Sequence, residues 1–155
     1  MQSMHSIAVM TPLEWERGDL LVSTDPQRLN VEAIHAFLSR SYWAAGIPRE
    51  IVERSIHHSL CFGVFEGAEQ VAFARVVSDR ATFAYVADVF VLPSHRGMGL
   101  GIWLMEVVRA HPELQNMRRW VLATRDAHDL YRKTGFTDVD PGRFMQVLDS
   151  DVYKR

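Results

Sequence analysis

Three glycines at alternate positions form the part of the sequence best suited to binding an anion. Gly97, Gly99 and Gly101 follow an apolar run that ends at Leu92, and they lead directly into a helical pattern. Glycines let the backbone approach a ligand closely, and the free N–H groups at a helix N-terminus favour a negative charge. Arg96 adds a guanidinium that can bind phosphate. The segment predicts a pyrophosphate site at the end of a buried strand; the alternative is a glycine-rich turn used only for close packing.

Two common phosphate-binding motifs fit this segment poorly. A P-loop requires Gly-Lys-Ser/Thr after its glycines, and the sequence has none here. The dinucleotide-binding pattern G-x-G-x-x-G would need glycine at position 102, where Ile102 stands. Nucleotide or dinucleotide binding is therefore the least favoured of the three functions considered for this sequence.

The composition predicts one globular domain, residues 1–155, without a membrane span. The chain has a formal net charge of −2 and 48% hydrophobic residues, which is ordinary for a folded protein and excludes disorder. The nearly balanced charge gives little reason to expect a nucleic-acid partner. The single cysteine, Cys61, excludes an internal disulfide, and seven histidines without ligand spacing predict no metal site. Residues 1–10 lack the features of a secretion signal, so the expected location is the cytoplasm.

Hydrophobic periodicity predicts a mixed sheet with helices on both faces. The predicted strands are 20–23, 61–65, 70–78, 82–92, 120–123, 136–137 and 143–148, and the predicted helices are 30–38, 48–59, 99–110 and 126–134. The strand over 82–92 is apolar on both faces except at Asp88, which is typical of a buried central strand. The strand–helix–strand order of the second half implies a parallel crossover. The predicted fold class is α+β, an α/β sandwich around a mixed, mostly antiparallel sheet.

Over roughly residues 20–148, the sequence resembles the GNAT superfamily of acyl-CoA-dependent N-acyltransferases. Residues 96–101 are similar to that family's R/Q-x-x-G-x-G/A pyrophosphate loop, and residues 88–93 are similar to its acyl-CoA-contacting strand. Residues 122–136 are similar to its second motif, in which a helix ends in Tyr-x-x-x-Gly-Phe. Many members have Asn near the start of that helix, whereas this sequence has Thr-Arg-Asp-Ala-His at 124–128.

The resemblance implies the acyl-CoA N-acyltransferase fold, in which two central parallel strands splay apart. Acetyl-CoA, the cosubstrate, would lie in the gap and its pantetheine arm would pair with the backbone like an added strand. The residues expected to bind it are Val89, Phe90, Val91, Arg96, Gly97, Met98, Gly99, Leu100 and Gly101.

Two side chains are candidates for the acyl-transfer chemistry, and each has a structural alternative. Tyr131 lies where the family often places an acid, and its phenol can protonate a leaving thiolate; the alternative is a core tyrosine. Asp88 is a candidate base or anchor for a substrate amine, because an unpaired buried carboxylate is costly; the alternative is a structural carboxylate. Tyr42 and Trp43, between the first two helices, are candidates for the wall of the acceptor site, with aromatic core packing as the alternative.

These observations predict an N-acetyltransferase that moves an acetyl group from acetyl-CoA to a primary amine of a small molecule or peptide. The alternative from another class is a non-catalytic module that binds or senses acyl-CoA. No metal, nucleic-acid or membrane partner is expected, and a homodimer is left open.

Overall fold

The computed structural model describes residues 11–155, which fold into six β-strands and four α-helices. Residues 1–10, on which the argument against a secretion signal depends, lie outside the described part of the chain. The strands are Glu14–Arg17 (β1), Leu20–Ser23 (β2), Leu60–Glu66 (β3), Glu69–Ser78 (β4), Phe83–Val91 (β5) and Arg119–Leu122 (β6). The helices are Val31–Leu38 (α1), Arg49–His57 (α2), Leu100–Ala110 (α3) and His128–Arg132 (α4). Between residues 11 and 155, no helix is long and apolar enough to cross a membrane.

The six strands form one sheet in sequence order, from β1 to β6. Neighbouring strands are antiparallel as far as β5, whereas β5 and β6 are parallel. Parallel neighbours need a crossover connection, which α3 supplies. The prediction of a mixed, mostly antiparallel sheet is therefore confirmed. The short strand β1 was not predicted, because three of its four residues are exposed and charged and give no periodic signal.

Helices cover both faces of the sheet, as predicted. Successive strand residues point to opposite faces, so one strand contributes to two cores. On one face, Leu104 of α3 lies in a core cluster with Phe62 of β3. On the other face, Ile34 of α1 lies in a second cluster with Phe73 and Phe90 of the central strands. The sheet is thus held between α3 and the α1–α2 pair.

β5 and β6 separate in the middle of the sheet. Their pairing ends at Val86 and Leu122. On its other side, β5 contains a bulge, because Asp88 and Val89 together lie opposite the single residue Ala74 of β4. Asp88 has a φ of 56°, in the left-handed region that few residues other than glycine adopt. A bulge bends a strand, and a gap opens between the two strands beyond Val86.

The expectation that β5 is buried on both faces is wrong for its first half. Phe83 and Tyr85 are 41% and 39% exposed. The helices α1 and α2 pack on this face farther along the strand, around Phe90, and leave the first half uncovered. The apolar pattern indicated burial correctly for Ala84 and Val86, which face α3.

The two final strands predicted at 136–137 and 143–148 are also wrong, because no described residue after β6 belongs to a strand. The alternating pattern of 143–148 favours a strand, but a strand also needs a hydrogen-bonded neighbour. In the chain as described, Met145 and Val147 are fully exposed instead. The helix predicted over 126–134 is present but shorter, at His128–Arg132.

Candidate active site

The gap between β5 and β6 is a cleft of about 600 Å³. Its walls come from the bulged half of β5, the glycine loop (residues 96–101), α4, and the loop between α1 and α2. Of the residues singled out in the sequence, those that line the cleft are Tyr42, Trp43, Val89, Phe90, Val91, Arg96, Gly97, Gly99, Leu100, Gly101 and Tyr131. Asp88 does not line it, and neither does Met98, whose side chain is exposed.

Two glycines of the loop leave the backbone open. Gly97 and Gly99 have φ values of 81° and 75°, which side chains rarely permit. A Cβ at Gly97 would have no atom within 4 Å, and one at Gly99 would meet only the Arg17 guanidinium at 3.9 Å. Gly99 also precedes the first turn of α3, whose leading N–H groups have no partner within the helix. The loop therefore presents accessible amides to an anion.

Gly101 has a different role from the other two. A Cβ at this position would lie 3.0 Å from Cδ1 of Leu130 on α4. Gly101 therefore allows α3 and α4 to pack closely, as the packing alternative expects, although it also lines the cleft. The sequence could not separate these roles, because all three glycines share one spacing.

Two side chains fix the start of the loop. His95 is buried; one ring nitrogen lies 2.7 Å from Oγ of Ser94, and the other lies 3.3 Å from Oε1 of Glu66 at the end of β3. Arg96 donates from Nε to the carbonyl oxygen of Val91 at 3.0 Å. Arg96 thus braces the loop against the end of β5, while the rest of its exposed guanidinium keeps its charge near the amides.

A second cation beside the loop was not identified from the sequence. Arg17, the last residue of β1, lies next to Gly99, and its guanidinium packs over the ring of Trp103, 5.9 Å from the ring centre. No sequence signal could have found it, because Arg17 reaches the loop across the sheet from a strand that the periodicity did not reveal.

Asp88 lies behind the cleft wall and is fully engaged. Its Oδ2 accepts a 2.8 Å hydrogen bond from Nε of Arg75, and its Oδ1 accepts one of 2.9 Å from the indole N–H of Trp43. The Asp88 and Arg75 side chains are only 10% and 18% exposed. Arg75 also donates from Nη1 to Ser59. Both oxygens of Asp88 already accept hydrogen bonds and the side chain does not line the cleft, which favours the structural alternative over a free base.

Tyr131 on α4 extends into the cleft opposite β5. Burial raises the pKa of its hydroxyl to about 12, and the neighbouring Tyr42 hydroxyl contributes in the same direction. Its ring packs edge-on against Phe136, with ring centres 5.9 Å apart. The packing and acid interpretations of Tyr131 are therefore compatible, since the ring is held in place and the hydroxyl stays protonated.

Tyr42 contacts Arg125, which belongs to the segment 124–128 where this sequence differs from the family pattern. The guanidinium of Arg125 stacks on the Tyr42 ring, 3.9 Å from its centre, and the Arg125 backbone N–H donates to the Tyr42 oxygen at 3.0 Å. The Trp43 ring packs edge-on against Tyr42 and tilted against Phe37. Tyr42 and Trp43 are 49% and 41% exposed, so they form a wall of the cleft and not an interior core.

Comparisons with known proteins agree with the family resemblance seen in the sequence. A family model described as an acetyltransferase (GNAT) domain matches residues 57–138, about half of the chain. A Gibberella zeae protein named as an acetyltransferase is 35% identical over 148 residues, with 82% of this chain and 84% of that protein covered. A Xanthomonas campestris pv. campestris protein of known structure, described as an acetyltransferase of the GNAT family, is 51% identical; the match has a TM-score of 0.85 and covers 88% of this chain and 97% of that chain.

A more distant likeness concerns the fold alone. A Clostridium acetobutylicum protein described as a predicted acetyltransferase, solved with acetyl-CoA, is 14% identical, with a TM-score of 0.59 over 89% of this chain and 95% of that chain. The overall fold thus recurs where little sequence identity remains.

Proposed function

The chain belongs to the GNAT family of acetyltransferases, and we propose that it transfers an acetyl group from acetyl-CoA to a primary amine of a small molecule or peptide. One observation carries this proposal. A single cleft is lined by the open glycine loop, by the part of β5 beyond Val86 that no described strand pairs with on the β6 side, and by Tyr131, whose hydroxyl is kept protonated by burial. A module that only binds acyl-CoA would need the glycine loop and the edge of β5 but not the tyrosine hydroxyl. A role as proton donor explains why that hydroxyl is present.

The residues of the cleft fit acetyl-CoA. The open amides at Gly97 and Gly99, with Arg17 and Arg96 beside them, suit a pyrophosphate. Beyond Val86, no strand among residues 11–155 pairs with the β6 side of β5, so its backbone groups are available to an amide-bearing arm. No three His, Cys, Asp or Glu side chains between residues 11 and 155 are grouped to hold a metal ion. Acetyl-CoA would supply the activated acetyl thioester, and a relative of similar fold was solved with it.

Tyr131 is the proposed acid. When the amine nitrogen bonds to the acetyl carbon and the carbon–sulfur bond breaks, the thiolate needs a proton, since an alkyl thiol has a pKa of about 8.5. The Tyr131 hydroxyl, which its raised pKa keeps protonated through pH 10, can donate this proton to the sulfur. The proton that the attacking nitrogen loses then returns the Tyr131 phenolate to its hydroxyl form. The backbone N–H groups near Phe90 and Val91 are the proposed donors to the oxyanion.

Asp88 is proposed to hold the bulge, and not to remove the substrate's proton. Its left-handed backbone conformation is costly, and its hydrogen bonds to Arg75 and Trp43 offset that cost. These bonds fix the direction in which the backbone of residues 89–91 faces the cleft. Asp88 thus acts through the backbone as a positioning residue.

The acceptor is proposed to bind against Tyr42 and Trp43, with Phe37 behind them. These exposed aromatic rings at the open cleft favour an amine that carries an apolar or aromatic body. We expect small amines with such a body, or peptides with an apolar first residue, to be better substrates than strongly charged amines.

The test is release of the CoA thiol from acetyl-CoA in the presence of a panel of acceptors. The panel pairs each primary amine with an alcohol of the same body, and mass spectrometry identifies the acetylated product. We expect thiol release with primary amines and none with the alcohols. Tight binding of acetyl-CoA without thiol release for any acceptor would instead support the non-catalytic binding module.

A further inference from the structure

One cation of the cleft has no role in the proposed binding of acetyl-CoA. Arg125, in the loop between β6 and α4, lines the cleft, and its side chain is 65% exposed. Arg17 and Arg96 lie beside the glycine loop, where they suit the pyrophosphate. Arg125 lies instead against Tyr42, in the aromatic wall where the acceptor is proposed to bind. Its positive charge is therefore on the acceptor side of the cleft.

Two contacts with Tyr42 hold Arg125 in place. The backbone N–H of Arg125 donates to the Tyr42 oxygen at 3.0 Å. The guanidinium lies over the Tyr42 ring, with its charged carbon 3.9 Å from the ring centre. Stacking uses the face of a guanidinium and leaves the N–H groups at its edge available to a ligand. The cation is thus held beside the ring in an orientation that a bound anion could use.

The guanidinium of Arg125 keeps its hydrogen-bonding capacity. Among residues 11–155 it donates no hydrogen bond, and the carboxylate nearest to it is that of Asp126, at 3.8 Å. Both side chains are about two-thirds exposed, so this ion pair is weak and is easily exchanged for a ligand. The planar fork of an arginine matches the two oxygens of a carboxylate. With Asp126 beside it, Arg125 favours a singly charged carboxylate over a doubly charged phosphate.

Three features of the acceptor side are neighbours around Tyr42. Trp43 supplies an aromatic surface, and its ring centre lies 5.1 Å from that of Tyr42. Arg125 supplies the cation, and the Tyr42 hydroxyl is near enough to Tyr131 to help keep it protonated. A matching acceptor has an apolar body, a carboxylate and an amine that reaches the thioester. An amino acid with an apolar or aromatic side chain carries all three groups on one carbon.

We propose that Arg125 binds the carboxylate of the acceptor, and that the acceptor is a free amino acid with an apolar or aromatic side chain. This inference rests on the proposed acetyl transfer and narrows its acceptor to one chemical class. The amine nitrogen bonds to the acetyl carbon, the carbon–sulfur bond breaks, and the proton that the nitrogen loses balances the one that the sulfur gains. The products are an N-acetyl amino acid and CoA. Arg125 contacts only the carboxylate, so it determines specificity and takes no part in the proton transfer.

The first test compares phenylalanine with phenylalaninamide, which has the same body and an uncharged carboxamide in place of the carboxylate. The ratio of their kcat/KM values is measured for the unmodified enzyme and for Arg125→Gln, whose planar end group can still lie on the Tyr42 ring. The intrinsic reactivity of each amine is the same with both enzymes, so a change in the ratio reports the carboxylate contact. We expect Arg125→Gln to lower the ratio by about tenfold, the effect of losing one charge-assisted hydrogen bond.

Two further variants control this comparison. Asp126→Asn removes the charge that competes for Arg125, so the ratio should rise. Arg54→Gln removes a positive charge from an exposed position of α2 outside the cleft, so the ratio should not change. An unchanged ratio in Arg125→Gln would overturn the proposal. So would a KM for acetyl-CoA that rises as much as the KM for phenylalanine, because Arg125 would then belong to the cosubstrate site.

The second test separates this inference from the proposed function. Isothermal titration calorimetry measures the binding of phenylalanine and phenylalaninamide to the complex of the enzyme with CoA, in which no acetyl group is present. We expect phenylalanine to bind about tenfold more tightly than its amide, and Arg125→Gln to remove the difference. This result without acetylation of any amine would uphold the acceptor site and reject the acetyl transfer. Equal binding of the two ligands to the unmodified enzyme would overturn the role of Arg125, even if amines are acetylated.

Discussion

The indole N–H of Trp43 donates a 2.9 Å hydrogen bond to Oδ1 of Asp88, a residue 45 positions away in the sequence. The bond joins the exposed aromatic wall of the cleft to the bulge in β5. The other oxygen of Asp88 accepts a hydrogen bond from Arg75. One carboxylate therefore fixes the position of the Trp43 ring in the aromatic wall and of the β5 backbone that faces the gap.

Replacing Asp88 by Asn should lower the free energy of unfolding without changing how turnover depends on pH. The variant loses the charge that pairs with Arg75 in a site where the carboxylate is only 10% exposed. Removing one member of a buried hydrogen-bonded pair costs about 1–3 kcal/mol, which denaturant unfolding would measure. We expect reduced turnover with an unchanged pH profile. Loss of the rising limb of that profile at full stability would identify Asp88 as the base after all.

Trp43→Phe gives the matched comparison, since it keeps an aromatic ring and removes the hydrogen bond to Asp88. We expect a smaller loss of stability, about 1 kcal/mol, and a KM that rises more for the amine than for acetyl-CoA. Equal effects on both substrates would contradict the placement of Trp43 on the acceptor side.

Tyr131→Phe should reduce turnover by tenfold or more, because proton delivery to a leaving group is worth about 10²–10⁴-fold. The ring and its packing on Phe136 remain, so the free energy of unfolding should change by no more than about 1 kcal/mol. The loss should shrink with an acetyl thioester whose thiol has a lower pKa. Tyr153→Phe, outside the cleft, is the control, and full activity in Tyr131→Phe would remove Tyr131 from the mechanism.

The raised pKa of Tyr131 also predicts the shape of the pH profile. An acid must be protonated to act, and with a pKa of about 12 the hydroxyl stays protonated through pH 10. The rate should therefore rise as the amine loses its proton and show no falling limb below about pH 10. A falling limb near pH 10 that disappears in Tyr131→Phe would show that the hydroxyl titrates at an ordinary value.

Gly99→Ala should weaken the binding of CoA by at least tenfold in isothermal titration calorimetry. The methyl group would occupy the open space above the loop amides, close to Arg17. Gly18→Ala is a suitable control, because Gly18 also has a positive φ of 59° and open space around it but lies outside the cleft. Both variants carry the same kind of backbone strain, so equal losses of affinity would mean that strain, and not the occupied space, weakens binding.

His111 predicts a loss of stability in mild acid. It is 1% exposed, and burial lowers its pKa below the ordinary value of 6.5. As the pH falls below 6.5, the unfolded chain binds a proton that the folded chain refuses, so the free energy of unfolding decreases. Denaturant unfolding between pH 7.5 and about pH 5 should show this slope, and His111→Gln should flatten it. The exposed His57→Gln should leave the slope unchanged.

The sequence predicts the elements whose signals are local. The glycine loop, α3 and the central strands carry their own periodicity and turn residues, so their positions follow from neighbouring residues. The partners of Asp88 cannot be predicted from neighbouring residues, since Arg75 and Trp43 reach it only once β4 and the loop after α1 have docked. The same limit explains the error at 143–148, where the pattern shows that a strand is favoured but does not show whether a neighbouring strand is present.

The close approach of α3 and α4 at Gly101 has a consequence for which thioesters can react. Tyr131 follows Leu130, the residue that a side chain at Gly101 would strike at 3.0 Å. Because the Leu130 side chain packs directly on Gly101, α4 lies close to α3, and this contact holds the backbone of Tyr131 near the start of α3. If Tyr131 is the proton donor, we expect the cleft to select acyl carriers by the length of their arm, since a shorter or longer arm would hold the carbonyl away from the hydroxyl.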